Sequence, residues 1–196
     1  MKGAWLRKMN NIRAGRFNSL LRALCIVVLA LLVVGSFRVY KFIWPTPYVA
    51  KQSGFQIVFP GVPTLDKLPS QNKSGVQVSG TIYSVDNQAK GTDYAVYATN
   101  YSHVDFTSYS RTSRIETLES EVDAIAKNDQ LNLSDGKTTT FDNLIAVEAT
   151  LAPSDPSVPS THVLAFLNRS RLYILLGAGI STSKFNSYIK TFRIIN

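Results

Sequence analysis

The chain has 196 residues, enough for one domain and an appendage, and 45% of them are apolar against 17% charged, which excludes wholesale disorder. Its formal net charge of +8 invites a nucleic-acid reading, but residues 1–51 hold 9 of the 21 cations and no acid, leaving 12 cations against 13 acids beyond them. The folded part is therefore near neutral, lacks the basic excess that a nucleic-acid partner requires, and is expected to have none.

Residues 1–19 form a basic lead, and residues 20–44 are expected to form one transmembrane helix that partners the lipid bilayer. The run from Ala23 to Phe37 is 15 residues without a charge, about 22 Å as a helix and short of the ~30 Å hydrocarbon core. Arg22 and Arg38 can lay their stems along the helix and hold their guanidinium groups among the headgroups, which extends the span to residues 20–40, about 31 Å. Phe37, Tyr40, Phe42 and Trp44 suit an interfacial aromatic belt, and Pro45 and Pro47 end the helix. Six cations precede the run and fewer follow it, so the N-terminus is expected in the cytoplasm and the remainder outside, in a single-pass protein of the cell membrane. A cleaved signal peptide, cut near Val34-Gly35-Ser36 and giving a secreted protein, is the alternative; the long basic lead and the aromatic belt favour retention. The single cysteine, Cys25, lies inside the apolar run, so no intramolecular disulfide forms.

A linker is expected over 45–53 and an extracytoplasmic domain over 54–196. Phe55, Ile57 and Phe59 alternate as in a half-buried strand ended by Pro60-Gly61. Residues 60–75, rich in Pro, Ser and Lys, suggest a connection. Val76, Val78 and Ile82 mark a second strand, and DYAVYATNY at 93–101 a third. A helix is expected over 114–127, with Ser113 and Glu116 as a capping pair and Lys127 complementing its negative end. Ile115, Leu118, Val122 and Ile125 share one face of it, which should cover a sheet, with Glu121 on the opposite side. Four further strands are expected at about 131–139, 144–151, 161–168 and 171–177. RLYILL in the last of them is apolar on both faces and so belongs at the centre of the sheet. A short helix beginning at 181–183 follows, with Phe185, Tyr188, Ile189 and Phe192 on one face. The order of elements predicts an α+β domain, a mainly antiparallel sheet with helices packed on it.

FPGVP at 59–63, YAVYATNY at 94–101, the long helix, the hairpins containing RLYILL and the ending KFNSYIKTFRI at 184–194 together resemble bacterial membrane-anchored envelope proteins with a PsbP-like α+β domain. In such domains a similar F-P-x-x-P strand opens the fold, and an aromatic helix with the spacing of Phe185 and Phe192 closes it. The resemblance spans roughly residues 53–196 and implies an antiparallel sandwich and a role in binding or assembly. Photosynthetic members act on a metal cluster, but no residue pattern here carries that role across.

No constellation announces catalysis, a cofactor or a metal. Ser102, His103 and Asp105 are neighbours in sequence, which does not supply the geometry of a hydrolase. Two histidines and one cysteine are too few for a soft-metal site, and Asp123, Asp129 and Asp135 lack the spacing of a calcium loop. Gly177-Ala178-Gly179 lacks the third glycine and the Lys-Ser/Thr of a phosphate loop. The expected function is a membrane-anchored extracytoplasmic binding or assembly module with an envelope protein as partner, no cofactor and no enzymatic activity. The alternatives are a small-ligand or metal-ion binding protein, or an enzyme without a recognisable motif. Tyr101, Phe106 and Tyr109 are the candidate partner contacts, because loop aromatics concentrate at interfaces; the other possibility is that they complete the core.

Overall fold

A computed structural model describes residues 46–195, except Ser74. The expected spanning helix of residues 20–44 and the basic lead before it fall outside these residues. Among the described residues no helix is long and apolar enough to cross a membrane.

In chain order the elements are β1 (Tyr48–Ala50), β2 (Phe55–Ile57), β3 (Thr64–Lys73), β4 (Val76–Asn87), β5 (Thr92–Tyr101), α1 (Arg111–Asn128), β6 (Leu131–Phe141), β7 (Leu144–Pro153), β8 (Thr161–Asn168), β9 (Arg171–Ala178), α2 (Thr182–Ile189) and β10 (Arg193–Ile194). Seven strands form one antiparallel sheet in the order β3-β4-β5-β9-β8-β7-β6, and a small sheet runs β1-β2-β10. RLYILL thus lies in the central strand, flanked by β5 and β8, and residues 172–176 of it are buried on both faces.

Side chains alternate across the large sheet, and each face has its own core. On one face Leu118, Val122 and Ala126 of α1 meet Val147, Ala149, Leu151, Val163, Ala165 and Ile174. On the other, Phe55 and Ile57 of the small sheet, Phe185 and Tyr188 of α2, and Phe192 meet Val96, Leu164, Phe166, Tyr173 and Leu175. Aromatic rings dominate this second core: Phe192 stacks on Phe55 with centroids 5.3 Å apart and meets Phe166 and Tyr173 edge-on at 5.4 Å. Full burial of each such ring contributes about 1.5–3 kcal/mol, which lets a two-residue strand hold its place.

Several sequence expectations are corrected. The connection expected over 60–75 contains a ten-residue strand, β3, paired with β4 in a hairpin at the sheet edge. The pairing slips between Leu68 and Gln71, around Pro69, which has no amide proton to give the ladder. The linker expected over 45–53 contains β1, whose Tyr48 pairs with Ile57, and a 3-10 turn at Lys51–Ser53. α1 begins one turn earlier than expected. Its N-cap is Ser110, whose hydroxyl accepts from the Ser113 amide at 3.1 Å, so the Ser113–Glu116 capping pair does not form. Glu121 does not face away from the sheet but is half-buried and bonded to Tyr101. Phe192 lies past the end of α2, in the turn before β10.

Candidate functional site

α1 lies mainly over β6, β7 and β8 and meets β5 along one flank, so the β3–β5 half of that sheet face is only partly covered. The register explains what this exposes. Tyr97 pairs with Ile174 and Ile82, and Thr99 with Leu172 and Gly80, so these residues form rows on one face. Between them and the flank of α1 runs a cleft of about 260 Å³, with Leu172 and Ile174 as apolar floor, Tyr97 and Tyr101 beside them, and Glu121 and Ile125 on the helix wall. Leu68 and Pro69 of the edge hairpin close the opposite side.

Tyr101 donates its phenolic proton to Oε1 of Glu121 at 3.1 Å. Burial, followed by the charge of Glu121 and the bond to it, holds this phenol well above its ordinary value near 10. Tyr97 is raised in the same direction, by burial and then by the charge of Asp129. The cleft thus has an aromatic and apolar floor, with Gln71, Ser79, Thr99 and Asn128 also in its lining and one carboxylate whose remaining lone pairs stay available as acceptors. It is smaller than the ~300–1,000 Å³ of drug-sized ligand sites. A cavity of this size takes a protruding side chain more readily than a nucleotide or a flavin.

The three aromatic residues singled out in the sequence form one chain of edge-on rings, Tyr101 to Phe106 at 5.2 Å and Phe106 to Tyr109 at 5.4 Å. Their exposures differ. Phe106 is buried in the α1 core and is corrected from a surface contact to a packing residue. Tyr101 is half-buried and borders the cleft, while Tyr109 remains exposed. Phe106 is held by a 3-10 turn whose cap, Asp105, accepts from the Thr107 amide at 2.9 Å and the Thr107 hydroxyl at 2.7 Å. Those two bonds hold the Asp105 carboxyl below the usual carboxylate range.

Asp105 is therefore committed to its own turn, and no hydrogen bond joins the side chains of Ser102, His103 and Asp105 among the described residues. His162 lies on the other face, stacked on Phe185 with centroids 5.5 Å apart. Asp123, Asp129 and Asp135 do not converge, and no group of three metal-ligating side chains gathers among the described residues. Gly177 and Gly179 serve packing: a Cβ at Gly177 would press on Ile180 and Phe185, and Gly179, at φ +68°, turns against the Gly91 carbonyl.

Sequence reasoning missed Tyr97, Glu121, Leu172 and Ile174 as members of a site. The signal that could have found them was the pairing of β5 with β9, which puts two tyrosines above an apolar floor. Comparison of the sequence with protein-family models and with characterised proteins finds no match. Among solved structures, the solution structure of cyanobacterial PsbP (CyanoP) from Synechocystis sp. PCC 6803 superposes with a TM-score of 0.52 at 12% identity, covering 76% of this chain and 91% of that one. At that identity the likeness is one of fold: residues 46–195 adopt a PsbP-like α+β sandwich.

Proposed function

We propose that this chain is a membrane-tethered, extracytoplasmic binding or assembly module, without enzymatic activity, that takes a partner protein in the cleft between α1 and the β3–β5 half of the sheet. The observation that carries this reading is the half-covered sheet face: Tyr97, Leu172 and Ile174 line a cleft sized for a side chain, with Glu121 at its wall. Aromatic and aliphatic anchors seated in such pockets dominate binding energy at protein interfaces. A partner presenting an apolar side chain beside a hydrogen-bond donor matches the floor and the carboxylate together. The basic lead, the apolar run at 20–44 and the aromatic belt support the tether and the outside location of the domain. The PsbP-like fold is compatible with a role in assembly.

A photo-crosslinking residue at Ala124, exposed on the cleft-facing side of α1, tests the reading in native membranes. One defined protein adduct, reduced several-fold by Tyr97→Asp, is expected, with the chain retained in the membrane after alkaline extraction. Adducts that ignore Tyr97→Asp would remove the cleft from the interface. A soluble chain beginning near Phe37 would replace the tether by a secreted form.

A further inference from the structure

On the opposite face, at the end of the sheet where the second core stops, the register assembles a different surface. Ser79, Asn100 and Arg171 stand in one row across β4, β5 and β9, and Lys67 faces Thr81 in the next row. Ala98 lies beside Thr81 and contributes only a methyl group, so the rows enclose a depression of about 350 Å³. The Lys51–Ser53 turn forms its far wall with Gln52 and Ser53. A second depression shares Arg171 and adds Lys51 and Arg169. Four cations thus line one end of a domain that is near neutral as a whole, and no Asp or Glu lines either depression. The one ion pair among the described residues, Lys137–Glu148 at 3.3 Å, involves none of them.

Arg171 is held in place. Its guanidinium packs against Gly54, where a Cβ would overlap Nη1, and Gly54 also adopts φ +69°. Nη2 reaches the Gln52 carbonyl at 3.5 Å. Asn100 accepts from the Ser170 hydroxyl through Oδ1, at 3.3 Å, which fixes its amide nitrogen as a donor for another group.

We infer that this depression is a binding site for a phosphate ester, with the phosphate between Arg171 and Lys67 and the alcohol portion along Ser79, Thr81 and Asn100. A guanidinium fork with a second cation suits an oxyanion, and the three donors beyond them suit a ligand with more acceptors than a carboxylate has. The wall contains no large apolar surface beyond Leu68, which favours a hydroxyl-rich alcohol over a hydrocarbon one. The same chemistry is offered by a free polyol phosphate and by the headgroup of an anionic phospholipid. The site opens on the other face of the sheet from the α1 cleft, with which it shares Leu68, Ser79, Gly80 and Thr99 as lining at the sheet edge, and none of its cations lines that cleft.

The test titrates sn-glycerol 3-phosphate into the full chain in non-ionic detergent, read by amide chemical shifts and calorimetry. Saturable binding is expected, with shifts at Ser79, Thr81 and Asn100, and none with glycerol alone. Arg171→Gln and Lys67→Glu should each weaken it by about tenfold or more, since hydrogen bonds to a charged group are being removed. Lys67 is exposed on an edge strand, so that variant keeps the readout if Arg171→Gln disturbs the fold. Glu119→Gln, exposed on α1 and lining neither this depression nor the α1 cleft, should leave the affinity unchanged. Competition by short-chain phosphatidylglycerol would identify the lipid headgroup as ligand, and its absence the free ester. No saturable binding of glycerol phosphate, inorganic phosphate or phosphatidylglycerol, or affinity untouched by Lys67→Glu, would overturn the inference.

Discussion

Tyr101 shares its proton with a carboxylate and is largely removed from water, so it loses that proton late. The same direction of shift, with burial as the leading cause, holds for Tyr97, Tyr173 and Tyr188. An unfolded tyrosine ionises near 10, and these four ionise higher in the fold, so above pH 10 the unfolded chain has released protons that the folded chain keeps. The stability linked to them is fully present below pH 10 and is lost as pH rises beyond it. Alkaline titration of phenolate absorbance should therefore show a second group of tyrosines ionising together with the loss of circular dichroism. A single reversible step near pH 10 with the dichroism intact would contradict the packing of these rings.

At the scale of elements, α1 makes the sharpest contrast. Leu118 is fully buried against β7 and β8, whereas Glu119 beside it is exposed. Leu118→Asp puts an unpaired carboxylate into that core and should cost on the order of 3–5 kcal/mol, comparable to a domain's whole margin. Glu119→Gln should change stability by less than ~0.5 kcal/mol. Denaturant melts of the two variants decide whether the helix covers the sheet; equal, small effects would mean that it does not. The elements legible in the sequence were β2, β4, β5, α1, β6–β9 and α2; most have one wet and one dry side, or none wet, and β6, exposed along most of its length, is the exception. β3 was not legible because it is an edge strand carrying Pro, Ser and Asn, with no buried face to impose alternation. β1 and β10 have three and two residues, too few to show a period, and only their pairing with β2 defines them. The capping residue was misjudged because Ser110 and Ser113 both suit an N-cap, and the second lies inside the helix.

For the whole molecule, the boundary of the domain matters more than its length suggests. Tyr48 packs against Phe59 and Tyr83, with ring centroids 6.0 and 5.8 Å away. A chain beginning at Thr46 should fold cooperatively without reductant or metal. One beginning at Lys51 loses β1 and should be less stable by about 1–3 kcal/mol, from the lost ring burial and strand hydrogen bonds. Chemical denaturation of both measures the difference, and equal midpoints would return β1 to the status of a linker. Neither candidate site was legible along the chain. The α1 cleft joins β5, β9 and a helix flank, and the phosphate site joins Lys67, Asn100 and Arg171, which meet only through the register of four strands.

The pairing of β10 with β2 has a consequence in time. Phe55 faces Ile194 and stacks on Phe192, so the first buried strand of the domain acquires these two partners only after β3–β9 and α2 have been made. At ~5–20 residues per second, synthesis leaves the faces of Phe55 and Ile57 without those partners for on the order of 10 s. During that interval Tyr83 and later Tyr173 can meet Phe55, but the ring that stacks on it, Phe192, is still missing. Closure of the small sheet thus waits for β10, and non-local pairing of this kind is slow to form. A chain truncated after β9 would lack the strand and the ring that close the second core.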